Sequence, residues 1–78
     1  MELERWHPSN VGDRLTGRYG RQGGDAVIQT DDGLLWMVPH EAEAALGTID
    51  PDIGGRVTLT YRGRDPAGNE LFTVAANG

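Results

Sequence analysis

Glycine and proline interrupt this sequence so often that only short regular elements fit between them. The chain of 78 residues contains 12 glycines and 4 prolines. Such spacing is typical of proteins built from several short strands. Only 37% of the residues are hydrophobic, which is enough for a thin core. We expect one domain over residues 1–78, with a lead-in at 1–10 and a polar tail at 76–78.

Alternation of polar and apolar residues predicts the strands. It is clearest at 56–62, where Val57, Leu59 and Tyr61 share one face. The segment 39–47 instead predicts a two-turn helix, because it opens with Pro39 and two acids and ends at Gly47. The other strands are predicted at 12–19, 25–30, 34–38 and 70–75.

Five strands with a helix between the third and the fourth predict an all-β fold, a five-stranded OB-fold-like barrel. Gly17 within the first strand is consistent with it, because that strand has to bend at a barrel corner. An SH3-like barrel is the alternative fold. The expected core residues are Leu15, Ile28, Leu34, Val57, Leu59 and Phe72.

The composition argues against an enzyme. The chain has no cysteine, no lysine and one serine, Ser9, which lies in a Pro-Ser-Asn turn. It therefore lacks a thiol, a P-loop pattern and a nucleophile elbow. His7 and His40 lack neighbours at metal-ligand spacing. We expect no catalytic activity, no cofactor and no metal ion.

The location of the protein is predicted from its apolar runs and its charged first residues. No apolar run reaches the length of a membrane span, and the first six residues include three charges. We expect a soluble, cytoplasmic protein without a signal peptide.

Charge is polarised along the chain. Residues 39–53 contain Glu41, Glu43, Asp50 and Asp52 and no arginine, so they carry −4 of the net −5. All seven basic residues are arginines. Two stretches, 17–24 and 55–64, carry only positive charge, which predicts separate acidic and basic surfaces.

Two sets of short motifs resemble known OB-fold families. Trp6-His7-Pro8, Val11-Gly12-Asp13 and Gly17 resemble small OB-fold proteins of phages and mobile elements, some of them similar to single-stranded-DNA-binding proteins. The run at 11–17, with Gly33, Val38-Pro39 and Gly55-Arg56-Val57, resembles the RNA-binding OB repeat of a ribosomal protein. That family places aromatic residues at the start of its second strand, where residues 24–28 of this chain have none.

The first and fourth strands of an OB-fold are antiparallel neighbours, so their outward arginines would share one face. The loops after these strands are those with which OB-folds bind oligonucleotides, and single-strand binding also uses aromatic rings. The predicted nucleic-acid-binding residues are Arg14, Arg18, Arg21, Trp36, Arg56, Tyr61, Arg62 and Arg64. Trp36 is either a core residue or an exposed ring.

Three functions remain open at this stage. The first is a non-catalytic module that binds single-stranded nucleic acid, DNA in particular. The second is a protein-interaction module of a phage or mobile element whose acidic segment binds a host or partner protein. The third is an RNA-binding OB domain. For nucleic-acid binding by the outward arginines, the alternative is an ordinary solvated sheet face whose arginines are balanced by nearby acids.

Overall fold

The structure, a computed structural model, describes residues 4–77 as one mixed β-sheet with a single helix. The sheet has the strand order β1-β4-β3-β2-β5-β6, and only the β1–β4 pair is parallel. The elements in chain order are β1 (Glu4–Arg5), β2 (Arg14–Gln22), β3 (Asp25–Gln29), β4 (Leu35–Met37), α1 (His40–Ile49), β5 (Arg56–Arg64) and β6 (Glu70–Asn77).

The core lies on the inward face of the two longest paired strands, β2 and β5. Leu15 is opposite Leu59 and Gly17 is opposite Val57. Val57 and Leu59 are fully buried, and burying a leucine of this kind stabilises the fold by about 1.5–3 kcal/mol. The core cluster consists of Leu15, Tyr19, Ala26, Ile28, Val38, Ala42, Leu46, Val57 and Leu59. The predicted core is therefore confirmed at Leu15, Ile28, Val57 and Leu59, while Phe72 is half-buried against it.

The β2–β3 hairpin turns on two residues. Gln22 pairs with Asp25, and the intervening Gly23 and Gly24 both have positive φ. Such a turn favours glycine because both central residues lie in the left-handed region. Strand β2 therefore runs to Gln22, three residues beyond the predicted end of the first strand at residue 19.

Gly17 allows β2 to lie close to β3. A Cβ atom built on Gly17 would lie 2.7 Å from the carbonyl carbon of Gln29 and 2.8 Å from Cγ2 of Ile28. Only a residue without a side chain fits there. The crowded position explains why glycine is needed within this strand.

The β3–β4 connection excludes Leu34 from the core. Thr30 N–H donates to the Leu34 carbonyl at 2.9 Å, and Gly33 N–H donates to Thr30 O at 3.0 Å. Leu34 is thus the last residue of a tight turn and is 52% exposed. Its prediction as a core residue is wrong, because β4 begins one residue later.

Helix α1 extends past the residue predicted to stop it. Gly47 lies inside the helix, which ends at Ile49 and is capped by Asp50 in the left-handed conformation (φ 52°, ψ 59°). The Asp50 N–H closes the last turn on Leu46 O at 2.7 Å. Ala42 and Leu46 are buried, so α1 covers the inward face of the sheet.

The ends of the sheet differ from the predicted barrel. Part of the lead-in forms β1, which pairs with β4, and β6 continues through Asn77, so the predicted tail is reduced to Gly78, outside the described residues. The described sheet has six strands rather than five and is not closed. Its edges approach through side chains, since the Trp6 and Phe72 rings lie 6.1 Å apart.

Gly17→Ala tests the close approach of β2 to β3. We expect it to lower the free energy of unfolding by about 1–3 kcal/mol or more, because the added methyl overlaps backbone atoms. Gly20→Ala is the control in the same strand, since its Cβ would lie 3.6 Å from Val27 Cγ2 in ordinary contact. Urea denaturation measures both, and equal stabilities of the two variants would contradict this account.

Candidate nucleic-acid interface

The outward sides of β2 and β5 form a flat surface of arginine and threonine. The register places Arg18 opposite Arg56, Thr16 opposite Thr58, and Arg14 opposite Thr60. On β6, Thr73 lies opposite Thr60 and continues this surface. The term arginine face is used below for Arg14, Thr16, Arg18, Arg56, Thr58, Thr60, Arg62 and Thr73.

Arg62 lies on the arginine face at a β-bulge. Tyr61 pairs with Phe72 and Gly63 pairs with Leu71, so Arg62 is the extra residue. Its Nε donates a hydrogen bond to Thr73 Oγ1 at 3.2 Å. Gly63 takes a positive φ of 93°, which permits the irregular backbone.

The cations of the arginine face are only partly paired. Arg14 and Arg18 are exposed, and the guanidinium group of neither forms a hydrogen bond or ion pair among residues 4–77. The hydroxyls of Thr16 and Thr58 lie 3.0 Å apart between the two ends of the face. The surface therefore offers free guanidinium donors on both sides of a polar, uncharged centre.

Within the described residues, one carboxylate contacts the arginine face, and it pairs with Arg56. The Nη1 of Arg56 donates to Asp31 Oδ1 at 3.1 Å and its Nη2 to Oδ2 at 3.4 Å. The hydrogen bond and the charge of Arg56 lower the pKa of Asp31, and the charge of Arg18 lowers it further. Asp31 raises the pKa of Arg56 in return.

The neighbouring carboxylate, Asp32, has a different role. It accepts hydrogen bonds from the Thr30 hydroxyl and, at 3.3 Å, from the Leu34 N–H. These bonds lower the pKa of Asp32, the contribution of Thr30 being the larger. Asp32 therefore holds the turn together while Asp31 remains directed to Arg56.

Two of the predicted arginines lie at opposite ends of the β2–β5 ladder. Arg21 is near the β2–β3 turn, where its Nη1 donates to Gly24 O at 3.0 Å. Arg64 is at the end of β5, beyond the bulge, and forms a 3.5 Å ion pair with Glu70. Arg21 pairs with the core residue Ala26 and has the strand parity of Leu15 and Tyr19, so it does not belong to the arginine face. Arg64 is held away from the other end of that face by Glu70.

The predicted stacking residues are not on the arginine face. Tyr61 is 8% exposed and its ring lies 5.4 Å from that of Phe72. Trp36 is half-buried, pairs with Ile28 and packs against the core. Tyr61 and Trp36 point inward because they have the same strand parity as core residues, so the prediction that a base stacks on either ring does not fit their placement.

A small cleft lies between the lead-in, the start of α1 and the β5–β6 turn. Its volume is about 310 Å³, and its charged lining consists of Arg5, Arg64, Glu41 and Glu70 together with His7 and His40. The positive charges of the two arginines equal the negative charges of the two glutamates in number. Over residues 4–77, no cluster of three or more potential metal ligands is found, and no helix is long and apolar enough to cross a membrane.

The pKa of Asp31 provides a test of the Arg56 contact. Arg56→Gln should raise this pKa toward its ordinary value of about 3.9, and Arg62→Gln is the control that should leave it unchanged. Because the folded-state pKa is lowered, the pair stabilises the fold above pH about 3.9, and this stability is lost as the pH falls through the folded-state value. NMR titration of the Asp31 carboxyl measures the shift; an identical pKa in both variants would contradict the contact.

Searches of protein-family models, of curated proteins and of solved structures found no match to this chain. The resemblances seen in the sequence therefore stay predictions, and a functional assignment depends on the arginine face itself.

Proposed function

We propose that this chain is a non-catalytic nucleic-acid-binding domain that holds the phosphate backbone of a single strand on its arginine face. The observation that carries the proposal is the concentration of cations there. Four of the seven arginines of a chain with net charge −5 share this surface. Arginine suits this role because its planar fork matches phosphate oxygens.

The spacing of the cations favours a chain of phosphates over one small anion. Arg14 and Arg18 are four residues apart on β2, which is roughly 13 Å along a strand. Thr16 and Thr58 lie between them and present hydroxyls, which also hydrogen-bond to phosphate and sugar oxygens. An extended polyanion can contact the arginines at both ends of this face and the threonine hydroxyls at its centre at the same time.

The inward placement of the aromatic rings predicts the mode of binding. Single-strand-binding proteins combine a positive groove with aromatic stacking. The described arginine face offers positive charge without aromatic rings, since Tyr61 and Trp36 pack inward. We therefore expect modest affinity, strong salt dependence and little preference among bases.

The finer fold assignment is also a proposal. We infer that β2–β6 form an OB-type arrangement in which β1 occupies the position beside β4 that a fifth strand takes in a closed barrel. The strand order, the close approach of β2 to β3 at Gly17 and the helix between β4 and β5 support it. OB-folds bind oligonucleotides on the face of their second and third strands and on the loops that follow the first and fourth strands. Binding on the outward side of β2 and β5 would therefore be a variation of that mode.

The acidic surface would orient the nucleic acid. Ala42 and Leu46 of α1 pack on the inward face, so the helix lies on the other side of the sheet from the arginine face. Its first turn carries Glu41 and Glu43, and Asp50 follows its end. These acids would repel phosphate within a Debye length of about 8–10 Å. Phosphate would therefore bind on the arginine face, which lies on the other side of the sheet.

A protein-interaction module is the second candidate, and exposed apolar residues favour it. Ile49 and Ile53 are 40% and 68% exposed, beside the acids Asp50 and Asp52. An acidic surface with exposed isoleucines fits a basic, amphipathic partner segment. Such binding would depend on apolar contact and would respond less to salt than phosphate binding.

Fluorescence anisotropy with a labelled oligothymidine tests the proposal. With about four phosphate contacts, the slope of log affinity against log salt should be near −3, from roughly −0.7 per contact. Arg14→Gln with Arg18→Gln should weaken binding by about 10-fold or more at low salt and make the slope less steep by more than about 1.

Arg64→Gln is the matched control, because Arg64 pairs with Glu70 and lies away from the arginine face. It should change the affinity by less than about 2-fold, and an RNA oligomer of equal length tests the choice of sugar. No binding by the intact protein at low salt, or binding that does not depend on salt, would contradict the proposal.

A further inference from the structure

Three polar side chains line up across the centre of the sheet at one end of the arginine face. The register places Gln29 of β3 opposite Arg18 of β2, and Arg18 opposite Arg56 of β5. All three residues are exposed. Two like charges directly opposite each other on a sheet destabilise it unless an anion lies near them.

Asp31 supplies that anion from the turn that follows β3. Its two carboxylate oxygens meet the two Nη atoms of Arg56 at 3.1 and 3.4 Å, in a fork geometry. It is also close enough to Arg18 for that charge to lower its pKa. The carboxylate therefore binds Arg56 through two oxygens, in the same fork geometry in which two oxygens of a phosphodiester bind a guanidinium.

We propose that Gln29, Arg18 and Arg56 form a phosphate subsite that Asp31 occupies in the free protein and leaves when a phosphodiester binds. This inference rests on the proposed function and adds to it the position of one phosphate and an internal competitor for it. No covalent step is involved, since one oxyanion replaces another on the same guanidinium.

The exchange is feasible because the Arg56–Asp31 pair is exposed. The side chains of Arg56 and Asp31 are 45% and 79% accessible, and ion pairs of this kind are weak in water. The turn itself does not depend on the Asp31 side chain, since Asp32 accepts the bonds from Thr30 and Leu34. Asp31 can therefore release Arg56 while the backbone of the turn stays in place.

Removal of the competitor gives the main test. Asp31→Asn should bind the labelled oligothymidine about 3- to 10-fold more tightly than the wild type at low salt, because Arg56 is freed and a nearby negative charge is lost. The matched control is Asp52→Asn, which makes the same change in net charge at an exposed loop position. It should change the affinity by less than about 2-fold.

Two further measurements separate displacement from a purely structural effect. Arg56→Gln should weaken binding more in the Asp31→Asn background than in the wild type, because Arg56 is already occupied in the wild type. By NMR titration, the pKa of Asp31 in the wild-type protein should rise when the oligonucleotide is bound, because the carboxylate then loses Arg56 and gains a phosphate neighbour.

The outcomes distinguish the subsite from the proposed function. Salt-dependent binding with equal affinities for Asp31→Asn and Asp52→Asn, or an Asp31 pKa that binding leaves unchanged, would overturn the subsite and leave the proposed function standing. If wild type and variants all fail to bind at low salt, the proposed function is overturned, and the subsite with it.

Discussion

The antiparallel pairing of β2 with β5 is the interaction on which the rest of the structure depends. The same ladder that places Leu15 against Leu59 on the inward face places Arg18 against Arg56 on the outward face. A shift of one residue would exchange the two faces of either strand. Core packing therefore fixes the register, and the register in turn assembles the arginine face.

A small core also determines which chemistry is left for the surface. The inward face uses Tyr19 and Tyr61 as buried residues, and Trp6, Trp36 and Phe72 pack against the same cluster. In a chain of 78 residues, large rings are needed to fill the interior. The outward face is left with guanidinium and hydroxyl groups, which suit backbone contacts better than base recognition.

The Trp6–Phe72 contact has a further effect, because it brings the two sheet edges together without backbone pairing.

The sequence was informative where local chemistry decides the structure. Alternation at 56–62 predicted both faces of β5, and the predicted break between the strands at 25–30 and 34–38 is a turn in which Gly33 has positive φ. The sequence was misleading where tertiary contacts determine the structure. Gly47 is tolerated within α1 because the packing of Ala42 and Leu46 outweighs its weak helix propensity.

The candidate site was predicted in part. Alternation identified the outward arginines of β2 and β5, and the parity of Tyr61 already indicated an inward ring. The contact between Asp31 and Arg56 was missed, since 25 positions separate the two residues and only the joint register of β3, β2 and β5 brings them together. An aspartate in an Asp-Asp-Gly turn is readily explained by the turn alone. Likewise, β1 consists of two charged residues, which carry no alternation to detect.

The most direct test of the central claim is the location of bound nucleic acid on the protein. Backbone and arginine side-chain NMR spectra, recorded during titration with an unlabelled oligothymidine at low salt, measure it residue by residue. We expect the largest shifts at Arg14, Arg18, Arg56 and Arg62, with the threonines between them, and little change in α1. Shifts concentrated at residues 41–53, or no shifts at any concentration, would contradict the assignment of the arginine face as the binding surface.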